Sequence, residues 1–291
     1  MKILTSILTG SFGSYNKLKD HDKAPNIQGL MEYANKCFNN GRVKDAIKEY
    51  HEALRAYECV ELYNNLALIY HAEKKLDKAQ QMFEKALVVD ARDLLVKYNL
   101  GHFFYLNNKI AEAMEQFSGI TEWAEGKTDL TEEDKIWVAF AYNDLGCAWY
   151  RKEDKEKAIE NFKKSLEMEK TFLSAQNNLA NVYSSQEKYD EALAEYNKII
   201  ELDNAFAEAY NGMGAIYFKR DEIKKAAELF QKAYQIDNHC QVAYMNLQTL
   251  FKLAQQQALY SVKEEAQKKM AQEVAARTLE EPGQLSDTDV K

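Results

Sequence analysis

The sequence predicts an all-α chain in which one helix–turn–helix unit is used six times. Three observations carry that expectation. The 291 residues hold only two prolines, Pro25 and Pro282, both near the ends, and only eleven glycines, so helix breakers are rare across a long interior. No stretch sustains the alternation of apolar and polar residues that marks a half-buried strand. Small residues recur at Ala34, Ala67, Gly101, Gly146, Ala180 and Gly214, spaced 33 or 34 apart except for one interval of 45.

The small column explains an oddity. Gly146 sits within the apolar run Leu145–Trp149 with no turn signal around it, although a glycine in a helix interior costs about 1 kcal/mol relative to alanine. Recurrence at fixed spacing makes close packing the reason. The residue before the column is Tyr33, Leu66, Leu100, Leu145, Leu179 or Met213. Three after it stand Cys37, Tyr70, Phe104, Trp149, Tyr183 and Tyr217. Twelve after it comes an alanine every time, at 46, 79, 113, 158, 192 and 226, and sixteen after it Tyr50, Phe83, Phe117, Phe162, Tyr196 and Phe230. Each unit therefore reads as a first helix (A), a turn, and a second helix (B). The turns fall at Asn40-Gly41, Lys74-Lys75, Asn107-Asn108, Glu153-Asp154, Gln186-Glu187 and Arg220-Asp221. The two small columns are expected to face each other, Gly146 on Ala158, so that the helix axes approach closely.

This pattern resembles the tetratricopeptide repeat family, whose W-x₂-L-G-x₂-Y…A-x₃-F signature has a 34-residue period; "YNGMGAIYFKRDEIKKAAELF" (210–230) follows it most fully. The resemblance covers residues 27–240. It implies a right-handed superhelical solenoid with repeats at about 27–59, 60–93, 94–138, 139–172, 173–206 and 207–240. The family's proline at the exit of helix B is absent; Ala91, Lys170, Asn204 and Asn238 stand there, with turn-capable "LDN" and "IDN" at two of the junctions.

Repeat arrays need their ends closed. Residues 241–279 read as a C-terminal capping helix, with Leu247, Leu250, Phe251, Ala254 and Ala258 at helical spacing. Residues 1–26 read as a flexible segment and 280–291 as a disordered tail. The eleven additional residues of the third interval fall in "TEWAEGKTDLTEEDKIW" (121–137). There Gly126 is expected to end one helix and Thr131 with Asp134 to cap the next, Trp123 and Trp137 packing across a lengthened hairpin.

Composition narrows the function. A net charge of −8 without a basic cluster argues against nucleic acid and anionic membrane as partners. The start, MKILTSILTG, is too polar for a good signal peptide and too short to span a bilayer, and the cysteines at 37, 59, 147 and 240 lie far apart without a CxxC. A cytoplasmic protein with free thiols is expected. No catalytic constellation is present, so the chain is not expected to be an enzyme or to carry a cofactor. The G-x-G at 212–214 follows no strand, and His71, His102 and Cys147 are taken as surface-lining residues rather than a metal site.

In the family the A helices line the concave groove, and the resemblance puts a row of polar residues there. Three before the small column stand Met31, Asn64, Tyr98, Asn143, Asn177 and Asn211; two before, Glu32, Asn65, Asn99, Asp144, Asn178 and Gly212; one after, Asn35, Leu68, His102, Cys147, Asn181 and Ala215. A side-chain amide both donates and accepts, so a ladder of asparagines is suited to the main chain of an extended peptide. Tyr98, Tyr105 and Tyr150, with Phe38, Phe140 and Phe218, would take its side chains. The competing reading is that these asparagines serve packing. Some relatives clamp a carboxylate with lysine, arginine and asparagine. Here Asn35 and Asn65 match the amides, but Met31, Leu95 and Asn99 occupy the basic places, which argues against that ligand. The expected function is a non-catalytic module binding a peptide or partner helix; the alternative is a scaffold that self-assembles as a homo-oligomer.

Overall fold

The computed structural model describes residues 27–280. The expected N-terminal segment and C-terminal tail lie outside the described residues. Thirteen helices follow one another, with no strand among the described residues: α1 Ile27–Asn39, α2 Val43–Ala56, α3 Val60–Ala72, α4 Leu76–Val89, α5 Leu94–Leu106, α6 Ile110–Ala124, α7 Glu132–Arg151, α8 Lys155–Met168, α9 Leu173–Ser185, α10 Tyr189–Leu202, α11 Ala207–Lys219, α12 Ile223–Ile236 and α13 Gln241–Glu280. Odd-numbered helices are A helices, and each but α7 starts seven residues before its column position.

The chain divides into two compact units, one ending at Val182 and the other starting at Tyr183. In the first, α1–α2, α3–α4, α5–α6 and α7–α8 are antiparallel hairpins, and consecutive hairpins pack through both A–A and B–A contacts. In the second, α11–α12 is such a hairpin, preceded by α10 and followed by α13.

The glycines of the small column correct one expectation. A Cβ on Gly146 would lie 2.6 Å from Phe162 Cε1, on Gly101 2.6 Å from Phe117 Cε1, and on Gly214 2.7 Å from Phe230 Cδ1. The close neighbour is the aromatic ring sixteen residues on, not Ala158. Positions +12 and +16 share a face of helix B one turn apart. The ring is the longer group and takes the space that a Cβ would fill. The alanines at +12 are fully buried beside it.

Every hairpin turn has one residue in the left-handed region: Gly41, Lys74, Asn108, Glu153, Glu187 and Asp221, with φ between 59° and 75°. The hydrogen bonds are those of a Schellman motif: Lys75 N–H donates to Tyr70 O and Lys74 N–H to His71 O, and Asp154 N–H to Trp149 O and Glu153 N–H to Tyr150 O, each 2.9–3.0 Å. The acceptor of the longer bond is always the +3 residue of the repeat. An acid one residue before the missing proline's place shapes the junction. Asp90, Asp203 and Asp237 each accept from the N–H two residues on (2.8–2.9 Å), and Glu169 does the same at 2.9 Å.

The insertion is mostly helix. Relative to the other repeats, α7 begins seven residues early, α6 is one residue longer and the connection gains three. Gly126 (φ +74°) ends the first helix, and Thr131 and Asp134 form a reciprocal capping box. The two tryptophans find separate partners instead of each other. Trp137 lies 5.6 Å from Tyr98 and 5.8 Å from Phe140 by ring centroid, while Lys127 Nζ sits 3.4 Å over Trp123.

Helix α13 starts as a seventh A helix. Leu247 and Phe251 occupy the leucine and aromatic columns, and Ala243 and Leu250 are buried. Among the described residues no B helix follows, and Phe251 is 65% exposed, where its spacing had suggested a packed position.

Candidate functional site

The A helices of stacked repeats interlock through the polar row. Asn99 Nδ2 donates to Asn64 Oδ1, and Asn178 Nδ2 to Asn143 Oδ1, both at 2.9 Å; in the second unit Asn246 Nδ2 donates to Asn211 Oδ1 at 2.9 Å. Each bond joins position −3 of one repeat to position −2 of the next, 35 residues on. Asn64 and Asn99 are 2% and 3% exposed, and Asn35, Asn65 and Asn143 are also buried. One donor and one acceptor of this ladder are thus used inside the protein, leaving each amide's second hydrogen and lone pair.

Tyr50 shows a second polar pairing. Its hydroxyl donates to Asn35 Oδ1, and burial raises its pKa against the opposing effect of hydrogen bonding with Asn65 and Asn35. A pattern in the sequence marks this pairing. Asparagine at +1 occurs only where +16 is tyrosine, at 35 with 50 and at 181 with 196; the phenylalanine repeats have Leu68, His102, Cys147 and Ala215.

The rung between the third and fourth repeats differs. Position −3 is Tyr98 and position −2 is Asp144. Asn143 Nδ2 donates to Asp144 Oδ1 at 3.0 Å, whereas Oδ2 is buried and closes no hydrogen bond among the described residues. Burial pushes this carboxyl up to about 6, although the Tyr98 hydroxyl and the Asn143 amide both favour its ionised form. Burial, and then the neighbouring Asp144 charge, push the Cys147 thiol up to about 12 and hold the Tyr98 hydroxyl well above its usual value.

Tyr98 is a packing hub, which corrects its expected role as an open side-chain pocket. Phe117, Trp137 and Phe140 lie with centroids 5.6–5.8 Å away, and His102 stacks at 6.1 Å. Burial lowers the pKa of His102. Tyr105 carries the Arg151 guanidinium 4.9 Å from its centroid, and Arg151 Nη2 donates to Asn108 Oδ1 at 2.7 Å. Asn177, Asn178, Asn211, His102, Tyr105 and Asp144 are partly buried; Tyr150 and Asn181 are exposed. Asn177 Oδ1 and Asn35 Nδ2, like Asp144 Oδ2, have no hydrogen-bond partner among the described residues. No group of three or more His, Cys, Asp or Glu is placed to hold a metal among the described residues. No helix among them is long and apolar enough to cross a membrane.

Sequence profiles described as tetratricopeptide repeat match residues 60–93, 139–172 and 171–239. No curated protein sequence matches the chain. Among solved structures, PilF of Pseudomonas aeruginosa aligns with a TM-score of 0.61 at 18% identity, covering 77% of this chain and 96% of that one. A chain of the APC/C heterotetramer Cut9–Hcn1 aligns with a TM-score of 0.60 at 18% identity over 85% of this chain; the match spans 48% of that chain. A tetratricopeptide repeat protein of Parabacteroides merdae gives 0.56 at 16% identity, over 86% of this chain and 100% of that one. At such identities these likenesses bear on the fold.

Proposed function

Because this chain belongs to the tetratricopeptide repeat family, a family of protein-interaction modules, we propose that it binds an extended segment of a partner protein along its A-helix face without catalysing a reaction. One observation carries this reading. Three of the four buried side-chain atoms that find no hydrogen-bond partner among the described residues, Asn35 Nδ2, Asp144 Oδ2 and Asn177 Oδ1, occupy the −3, −2 and +1 columns of the A helices. Most buried polar groups in folded proteins are paired, so a concentration of exceptions on one face is what a ligand's main chain or side chains would satisfy. Tyr105 and Tyr150 flank the row. The test is capture of cellular proteins on the immobilised chain. Asn177→Ala with Tyr150→Ala should lose captured proteins while keeping the helical content. Val88→Ser on the outer face of α4, at an 85% exposed residue, should keep them. The reverse result would move the binding surface to the B helices.

Self-assembly is the second reading. It is favoured by the open side of α13, where Val242, Tyr244, Met245 and Phe251 are exposed. Light scattering coupled to size exclusion should then report an oligomer that Phe251→Ser dissociates; a monomer at both low and high concentration rejects it. A cytoplasmic setting, as expected from the cysteines, belongs with either reading.

A further inference from the structure

We propose that Asp144 receives a cationic side chain, the ammonium of a lysine or the guanidinium of an arginine, from the bound partner segment; this rests on the A-helix face being the binding surface. In the same column the first repeat carries the exposed Glu32, and the repeats that follow in the first unit carry Asn65, Asn99 and Asn178 as amides; the rungs of Asn99 and Asn178 use the Nδ2 donor of the later residue. Aspartate gives up that donor and adds a charge. An amide oxygen would accept from the Tyr98 hydroxyl equally well, so the charge is not needed for the rung.

Among the described residues nothing pairs with that charge. The groups that interact with it are Tyr98 and Tyr105 from α5 and Asn143 and Cys147 from its own helix; behind them, His102 stacks on Tyr98, and Asn178 of α9 donates to Asn143 and Cys147. None is a cation at neutral pH: burial lowers the pKa of His102 and raises those of Tyr98, Tyr105 and Cys147. Arg151, two turns along α7, is committed to Asn108 and to the ring of Tyr105. An unpaired carboxylate held out of water is costly, and an incoming cation with hydrogen bonds to it removes that cost. A chain of net charge −8 also draws basic segments toward its surface.

The experiment uses the full chain and three fluorescein-labelled nonapeptide pools, randomised over Ala, Ser, Leu, Asn and Gly. The central residue is fixed as arginine, lysine or the neutral isostere citrulline. Fluorescence anisotropy is read with wild type and with Asp144→Asn, whose amide matches its column and whose helical content is checked by circular dichroism. The expected result is that the arginine or the lysine pool binds wild type about tenfold or more tighter than the citrulline pool, and that the preference falls to about twofold or less in Asp144→Asn. If all pools bind both proteins alike, the binding face stands and the cation assignment is overturned. If no pool binds either wild type or a variant with Lys2, Lys17, Lys19 and Lys23 changed to Gln, both fall. If cationic pools bind only after Lys2, Lys17, Lys19 and Lys23 are changed to Gln, the chain's own lysines fill the site and the partner assignment is overturned.

Discussion

The Asn64–Asn99 rung and the Tyr98–Asp144 rung occupy equivalent positions one repeat apart. In the first, two buried amides satisfy each other at 2.9 Å. In the second, a hydroxyl meets a carboxyl whose Oδ2 is left without a bond. The two rungs share helix α5, and α5 and α7 meet their B helices through the same ring-on-glycine contact, Phe117 on Gly101 and Phe162 on Gly146. One set of positions therefore serves as an internal fastener in one repeat and keeps an unmet charge in the next. The asparagine row is a structural device first, and the binding proposed for it lies where the device is incomplete.

The largest expected effect is common to both regions. Gly101→Leu and Gly146→Leu each drive a side chain into a ring already 2.6 Å from where a Cβ would sit. Each should cost about 3 kcal/mol or more, read by urea denaturation. A marked inequality between them would show that the two joints are not equivalent. Next comes Asn99→Ala, which leaves the buried Asn64 Oδ1 without its donor and should cost about 2 kcal/mol; a loss below about 0.5 kcal/mol would mean that the rung is not a fastener.

Asp144→Asn should do the opposite. The folded carboxyl titrates near 6, against 3.8 for its ordinary value, so the native state holds this proton more tightly than the unfolded chain. Stability of the wild type then falls as pH rises from about 4 to about 6 and stays lower above that. The amide variant should gain about 1–2 kcal/mol at pH 7.5, with about 3 kcal/mol as the ceiling that the titration allows, and little near pH 4. Denaturation at the two pH values checks this. The smallest effect concerns the turns of the same repeats. Lys74→Gly and Glu153→Gly relieve left-handed residues at φ 59° and 64°, and each should stabilise by about 0.5 kcal/mol; destabilisation would show side-chain roles at the turns.

The helices were legible because the repeat is a packing rule written six times. Small residue, alanine and aromatic recur at positions that only one pair of helices can bring together, and even the capping box at Thr131 stood in the local sequence. The contact partner of Gly146 was not legible. Ala158 and Phe162 lie on one face of α8 a turn apart, and side-chain reach decides between them. The asparagine row was visible, but its pairing was obscured by the 34-residue period, because bonded residues are 35 apart. The exposed Phe251 was misread for a related reason: it keeps its column while no B helix among the described residues covers it. Asp144 stood in the expected row with nothing to distinguish it. Its distinction is the absence of a compensating group around it, which only three-dimensional placement reveals.

The central claim is that Asp144 holds a buried carboxyl oxygen with no cation to meet it among the described residues. Its titration by carbon-detected NMR, assigned by difference from Asp144→Asn, tests that directly. The predicted midpoint in the free protein is about 6, moving down when the arginine-centred peptide pool is added. A midpoint near 4 in the free protein, unmoved by the peptides, would contradict it.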